Sequence, residues 1–300
     1  MDPFEEEFEV AVEGGALVVS RAGAEPGGAT PLVLAPHGIT SSSRGWSPVA
    51  RLLGREVCLL APDLRGRGKS RETGPPWGIA RHAEDLVAVL DRIGVERAIV
   101  AGHSMGAYVA GLLALREPGR VAALVLVDGG LPTATPPDGD PDEVLGAVLG
   151  PALARLRQTF ESVDDYVGFW RGHPAFTIAD VTDEDLRAYA ERDLVGEPPQ
   201  LRPATREDAV REDGRDLFLS KEAQTAASRA GRPATLLRAP RGLLDDPAHP
   251  FLPAAEARAF ARVADARVVQ VDDVNHYTIT LGARGAAVAA AAIREAATAG

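Results

Sequence analysis

The 300-residue sequence lacks several features that would place it in a specialised class of proteins. It has a single cysteine, Cys58, which excludes an intrachain disulfide and a metal site built from several cysteines. No apolar run approaches the roughly 18 to 20 residues that a membrane span needs. The acidic N-terminus has no basic region followed by an apolar stretch, so a secretory signal is not predicted. We therefore expect a cytoplasmic protein that does not act on a membrane.

Basic residues are also scarce relative to acidic ones. The chain has 32 Lys and Arg residues against 43 Asp and Glu residues, which gives a formal net charge of −11. Nucleic acids and anionic membrane surfaces bind basic patches, so this balance argues against both as partners. The acidic excess is concentrated in residues 131–230, which contain 20 acidic and 11 basic residues. The surface of this middle segment should therefore differ from that of its flanks.

The two flanks instead contain alternating strand-like and helix-like segments. Four nearly continuous apolar runs of strand length are PLVLAPHG, EVCLLAPD, RAIVAGHS and VAALVLVDGG. Such runs are typical of strands that are buried on both faces of a parallel sheet. Between them, apolar residues recur at helical spacing, for example over residues 79–93. The alternation predicts right-handed βαβ units and a doubly wound α/β sheet.

The pattern changes at residue 131 and returns at residue 231. A stretch rich in Pro and Asp, residues 131–143, is predicted to be a linker, and segments with helical spacing follow it. We therefore predict a core made of residues 1–130 and 231–300. Residues 131–230 are predicted to be an insertion that is mostly helical.

One motif in the core points to chemistry. The sequence GHSMG at residues 102–106 lies between a predicted strand and a predicted helix, where G-x-S-x-G forms a nucleophile elbow. The glycines leave room where the two backbones crowd together. Ser104 is thereby held at the carboxyl ends of the strands, where open α/β sheets build their sites.

With this elbow the chain resembles the α/β-hydrolase family, and three further motifs extend the resemblance. These are APHGITSSSRGW at 35–46, APDLRGRGKS at 61–70 and VNHYTI at 274–279, in the order that the family has. The resemblance implies a mostly parallel eight-stranded sheet flanked by helices. It also implies that the insertion occupies the place of the family's helical lid.

The resemblance further implies a nucleophile, a base and an acid. Ser104 would be the nucleophile, and His276, which follows the last predicted strand, would be the base. Two regions could supply the acid. We favour Asp128 because it ends a strongly apolar run, where a carboxylate without a partner would be costly. Asp245 is the alternative, and Asp246 follows it.

Other parts of the site are implied by the same resemblance. The backbone N–H groups of Ile39 and Met105 would form the oxyanion hole. Most aromatic residues of the insertion are expected to form its core. Tyr166, Phe169 and Trp170 are expected to contact the substrate.

The expected function is that of a serine hydrolase that needs no cofactor or metal. It would cleave a carboxylic ester of a small, largely apolar substrate through an acyl-enzyme on the serine. Thioesters, lactones, amides and carbon–carbon bonds next to a ketone remain open as substrates. So does a ligand-binding protein with the same fold and no activity. The expected partner is a small-molecule substrate, and homodimer formation remains open.

Overall fold

An eight-stranded sheet forms the centre of the computed structural model, which describes residues 2–132, 140–177, 180–264 and 266–298. Its strands within these ranges are β1 (Phe4–Val12), β2 (Gly15–Gly23), β3 (Leu32–Leu34), β4 (Cys58–Pro62), β5 (Ala98–His103), β6 (Val121–Val127), β9 (Ala234–Arg238) and β10 (Arg267–Gln270). Two further short strands, β7 (Leu194–Val195) and β8 (Arg202–Pro203), pair with each other outside this sheet.

The strand order across the sheet is β1-β2-β4-β3-β5-β6-β9-β10. Within this sheet only β2 runs opposite to the other strands, and β4, β3, β5, β6, β9 and β10 are parallel to one another. The carboxyl ends of the central strands therefore lie at one edge, where loops from distant parts of the chain meet. The predicted α/β class and mostly parallel eight-stranded sheet are confirmed.

Helices connect the strands and cover both faces of the sheet. The helices in the described ranges are α1 (Ser47–Leu53), α2 (Ile79–Ile93), α3 (Met105–Arg116), α4 (Pro141–Leu149), α5 (Pro151–Ala154), α6 (Val163–Gly172), α7 (Asp183–Arg192), α8 (Glu207–Leu219), α9 (Lys221–Arg229), α10 (Ala254–Ala264), α11 (Thr278–Leu281) and α12 (Ala283–Thr298). Across the parts of the chain that the structure describes, no helix combines the length and apolarity that a membrane crossing requires.

The central strands are buried on both faces because helices cover both sides. In β3, Leu32 and Leu34 belong to one hydrophobic cluster and Val33 belongs to the other. Side chains alternate between the two faces of a strand, so a strand without polar residues needs an apolar layer on each side. Helices α2, α3 and α9 supply one layer, and α1 and α12 supply the other.

The segment predicted as an insertion is mostly helical where the structure describes it. It contains α4 to α9 and the β7–β8 pair. Thr182 caps α7 by accepting a hydrogen bond from the Asp185 N–H at 3.1 Å. Most of the predicted linker, residues 133–139, lies outside the described residues. The last helix of the segment, α9, packs directly against α3 of the predicted core. The division into a core and a lid remains a prediction.

The turn between β5 and α3 brings two backbones into contact. A Cβ atom added at Gly102 would lie 2.2 Å from the Gly106 carbonyl oxygen, and one added at Gly106 would lie 2.1 Å from the Pro36 carbonyl oxygen. Ser104, between them, has φ 54° and ψ −120°, a strained conformation for a residue with a side chain. Close packing on both sides holds the serine in this conformation.

Two buried imidazoles hold the loops at the same edge of the sheet. His37 Nδ1–H donates to the Gly38 carbonyl at 2.7 Å, and the Leu64 N–H donates to His37 Nε2 at 2.9 Å. His103 Nε2–H donates to the His276 carbonyl at 2.8 Å. Burial lowers the pKa of His37 to about 4 and that of His103 to about 3, so both rings are neutral at pH 7.

The contact at Gly106 can be tested by a single added methyl group. We expect Gly106→Ala to lower the free energy of unfolding by about 3 kcal/mol or more, because neither backbone can move without disturbing the sheet. The measurement is urea denaturation followed by circular dichroism. Gly168→Ala is the matched control, because a Cβ atom at this helical position meets nothing within 4 Å among the described residues. It should stabilise the protein by about 0.5 to 1 kcal/mol. Equal effects of the two changes would contradict this account.

The buried imidazoles predict a dependence of stability on pH. Their pKa values are lower in the folded protein than the ordinary value of 6.5, so the unfolded chain takes up protons first as the pH falls. We expect the free energy of unfolding to decrease between pH 6.5 and pH 5 by about 1.4 kcal/mol per pH unit for each ring. Burial also lowers the pKa of His173 to about 4, so three rings contribute and His103→Asn should remove about a third of the slope in urea denaturation at several pH values. An unchanged slope would show that His103 binds its proton equally well in both states.

Candidate active site

Ser104, His276 and Asp128 form a continuous hydrogen-bonded line at the carboxyl edge of the sheet. His276 Nε2 lies 2.9 Å from Ser104 Oγ, and His276 Nδ1 lies 2.7 Å from Asp128 Oδ2. A carboxylate can only accept, so Nδ1 carries the proton and Nε2 is left to accept from the serine hydroxyl. This is the tautomer in which the imidazole can remove the serine proton.

The carboxylate of Asp128 is completely buried directly after β6. Its Oδ1 accepts a hydrogen bond from the Ala239 N–H at 3.0 Å, and its own N–H donates to the Leu237 carbonyl at 2.8 Å. The residue has φ 44°, which only a well-determined environment sustains. The imidazole and one backbone amide together provide the partners that a buried carboxylate needs.

Asp245 and Asp246, the alternative acids, bond to other partners. Asp245 Oδ2 accepts from Arg241 at 3.0 Å, and its Oδ1 accepts from the Asn275 side-chain amide at 3.1 Å. Asp246 pairs with the exposed side chain of His249 at 2.6 Å. The structure brings neither carboxylate to the His276 ring, whereas it brings Asp128 there.

Asn275 is a residue of this site that the sequence analysis missed. Its Oδ1 accepts from the N–H groups of Tyr277 and Thr278, both at 3.0 Å, and its own N–H donates to Thr278 Oγ1 at 2.8 Å. These bonds close a tight turn around His276, whose carbonyl is held from the other side by the His103 ring. An Asn followed three residues later by Thr is a turn signal that could have identified it.

The loop after β3 lies against Ser104. A Cβ atom added at Gly38 would be 3.2 Å from Ser104 Cβ, so the backbone of this loop runs next to the serine side chain. The N–H groups of Ile39 and Met105 donate to no backbone or side-chain acceptor among the described residues. Met105 is the first residue of α3, where N–H groups have no partner within the helix and favour negative charge.

A cavity of about 40 Å³ lies over Ser104. Its lining combines apolar side chains with the hydroxyl-bearing residues Thr40, Ser41, Tyr189, Tyr277 and Thr280. Among the described residues that line the cavity there is no Asp, Glu, Lys or Arg. We call the apolar side chains of this lining the apolar wall; they are Ile39, Leu145, Leu149, Leu217, Phe218, Leu243, Phe251 and Leu281.

The three aromatic residues expected to contact the substrate are placed differently from that expectation. Tyr166, Phe169 and Trp170 form an aromatic cluster, in which the Trp170 ring centre lies 5.4 Å from that of Tyr189 and 5.9 Å from that of Tyr277. They are not among the residues that line the cavity. Tyr166 and Trp170 are buried and Phe169 is partly exposed, and Trp170 packs against Tyr189 and Tyr277, the two tyrosines that line the cavity.

The apolar wall comes from a feature that the sequence analysis did not use. Leu145 and Leu149 lie one turn apart on α4, and Leu217 and Phe218 lie on α8. The leucine pair has the spacing of one helix face, which could have indicated it. In the part of the chain that the structure describes, no group of three His, Cys, Asp or Glu side chains could hold a metal ion.

Comparison with known proteins gives matches of two kinds. A model of the family described as alpha/beta hydrolase fold matches residues 31–168. Lipase LipV of Mycobacterium tuberculosis is 44% identical over 96 residues, which cover 32% of this chain and 36% of the lipase. A putative carbamate hydrolase, RutD of Caulobacter vibrioides, is 37% identical over 99 residues, which cover 33% of this chain and 37% of that protein. The chain thus spans about a third of the length of these curated relatives.

Solved structures match along nearly the whole chain. The crystal structure of E-2-(acetamidomethylene)succinate hydrolase has a TM-score of 0.77 and 23% sequence identity, and it covers 97% of this chain and 98% of its own. The thioesterase domain from the curacin biosynthetic pathway has a TM-score of 0.74 and 20% identity, with 97% and 99% covered. At these identities the likeness establishes the fold. Together with the family model, it shows that this chain has the α/β-hydrolase fold.

Proposed function

We propose that this protein is a serine hydrolase that cleaves a carboxylic ester, or a related acyl bond, of a small and largely apolar substrate. The single observation that carries the proposal is the hydrogen-bonded line from Asp128 through His276 to Ser104. A serine hydroxyl is a weak nucleophile at neutral pH and needs a base that is itself oriented. All three groups stand at hydrogen-bonding distance, and the serine is on a strained elbow.

The proposed reaction proceeds through an acyl-enzyme. His276 Nε2 takes the hydroxyl proton as Ser104 Oγ attacks the carbonyl carbon, and the negative charge that forms on the carbonyl oxygen is stabilised by the N–H groups of Ile39 and Met105. The imidazolium, stabilised by Asp128, then gives the proton to the leaving alcohol. Water repeats the sequence on the acyl-enzyme and releases the acid.

The cavity supports a small and uncharged acyl group. Its volume of about 40 Å³ accommodates only a few water molecules. The described lining has no charged side chain that could bind an anionic or cationic substrate group, and the chain carries a net charge of −11. The largely apolar wall therefore favours a short alkyl or acyl chain.

The names of the relatives, a lipase and a putative carbamate hydrolase, are those of hydrolases and support this class. Thioesters, lactones and carbon–carbon bonds next to a ketone remain alternative substrates for the same serine. The substrate classes can be ranked by kcat/KM on a matched panel. The panel contains an ester and a thioester of one acyl group, a carbamate of the same alcohol and a lactone of similar size. A ligand-binding protein without activity is the alternative from another class.

Replacing the members of the line tests the proposed roles. Ser104→Ala should abolish hydrolysis of p-nitrophenyl acetate and labelling by a fluorophosphonate probe. Asp128→Asn should lower kcat by about 10³- to 10⁴-fold, because the amide favours the wrong imidazole tautomer. Asp245→Asn is the matched control and should stay close to the wild type. Absence of both turnover and labelling in the wild type would favour the ligand-binding alternative.

The apolar wall predicts a preference for short acyl chains. The wild type should hydrolyse acetyl and butyryl esters better than octanoyl esters. Phe218→Ala should raise kcat/KM for octanoate relative to acetate by about tenfold, because it enlarges the cavity. Leu219→Ala is the control, since the side chain of this next residue is exposed and does not line the cavity. The same chain-length profile in all three proteins would show that the acyl chain binds elsewhere.

A further inference from the structure

The loop that carries Ile39 is held by hydrogen bonds to three successive carbonyl groups. The Gly38 carbonyl accepts a hydrogen bond from His37 Nδ1–H at 2.7 Å. The Ile39 carbonyl accepts one from Arg67 Nε–H at 3.0 Å. The Thr40 carbonyl accepts one from Arg155 Nη2–H at 2.9 Å. All three donor side chains are buried. Fixing the carbonyls of adjacent peptides fixes their planes, and with them the direction of the Ile39 N–H.

Arg155 is the unexpected member of this set because it comes from the segment predicted as the lid. It lies in a short 3-10 helix, Arg155–Arg157, and its side chain is completely buried. The guanidinium group stacks on Trp170, with 4.9 Å from its carbon to the ring centre, and Nη1–H donates to the Ala152 carbonyl at 3.2 Å. Burying a guanidinium group costs free energy unless it is paired and hydrogen-bonded. Arg155 therefore needs groups that compensate its charge, and it positions the backbone carbonyls to which it donates.

Asp193 forms an ion pair with this guanidinium group. Its Oδ2 lies 2.8 Å from Arg155 Nη2, the nitrogen that also donates to Thr40, and accepts from the Tyr166 hydroxyl at 2.6 Å. Its Oδ1 accepts from the N–H and the hydroxyl of Thr205 at 2.9 and 2.7 Å. With so many partners the carboxylate cannot rotate freely, and the position of the guanidinium is determined with it.

We propose that Arg155 is a positioning residue that sets the oxyanion loop from the predicted lid, an inference that rests on the proposed function. Arg155 is not among the residues that line the cavity, and its Nη1 and Nη2 groups donate to protein oxygens. It therefore acts on the reaction through Thr40 and not on the substrate. The Ile39 N–H can then stabilise an oxyanion only while Arg155 and Asp193 keep their positions.

This role is tested by measuring the hydrolysis of p-nitrophenyl acetate by three variants. They are Arg155→Met, Arg155→Lys and the double variant Arg155→Met/Asp193→Asn. The double variant leaves no unpaired buried charge, so it reports on the loop even if the single methionine variant fails to fold. Active sites are counted with a fluorophosphonate probe, so loss of folded protein does not count as loss of kcat. The matched control is Arg157→Met, two residues along the same short helix, where the side chain is 70% exposed.

A positioning role predicts a split between kinetic constants. The methionine variants should lose about ten- to a hundredfold in kcat per active site, with KM within twofold of the wild type, because the loop contacts the transition state more closely than the substrate. The affinity for an alkyl trifluoromethyl ketone, which places an oxyanion at the same position, should fall by the same factor. Arg155→Lys should recover part of both losses, and Arg157→Met should match the wild type.

Two results would overturn the inference in different ways. An active wild type, with kcat per site and ketone affinity unchanged in the double variant, would leave the proposed function standing and refute the role of Arg155. A wild type that neither hydrolyses esters nor labels at Ser104 would refute the proposed function, and this inference with it.

Discussion

The buried carboxylate of Asp128 is the group on which the geometry of the site depends. It lies fully out of water at the end of a central strand, and its partners are the His276 ring and the backbone N–H of Ala239. An isolated charge there would be prohibitive, so the imidazole must approach and must carry its proton on Nδ1. The same requirement leaves Nε2 free to face Ser104. One electrostatic constraint thus determines the position, the tautomer and the direction of the ring.

The loops around this line are held by buried polar side chains and not by apolar packing alone. The His103 ring bonds to the His276 carbonyl, His37 to the loop after β3, and Arg67 and Arg155 to the next two carbonyls of that loop. Backbone groups in irregular segments need partners when they are buried. Directional bonds also restrict peptide planes more closely than apolar contacts do. A site that uses backbone N–H groups as donors therefore benefits from side chains that hold the adjoining carbonyls.

The sequence predicted much of the architecture because the relevant signals are local. The apolar runs of β3 to β6 are strands buried on both faces, and residues 79–93, where apolar residues recur at helical spacing, form α2. We expected Tyr166, Phe169 and Trp170 to contact the substrate, but these three rings do not line the cavity over Ser104. Large aromatic residues bury the most area against one another, and nothing in their spacing shows which of them faces a cavity. Leu145 and Leu149 on α4 and Leu217 on α8 line the cavity instead, and these two helices pack against each other.

The sequence by itself determined the strand–helix alternation, the glycines that permit a strained turn at Ser104 and the apolar run that ends at Asp128. Each of these is a property of consecutive residues, expressed through steric limits and solvent exclusion. Only the tertiary structure decided between Asp128 and Asp245 as the partner of His276. It also brought Arg155 to Thr40 across 115 positions. Such pairings depend on which strand ends lie side by side in the sheet, and the order of strands in space differs from their order along the chain.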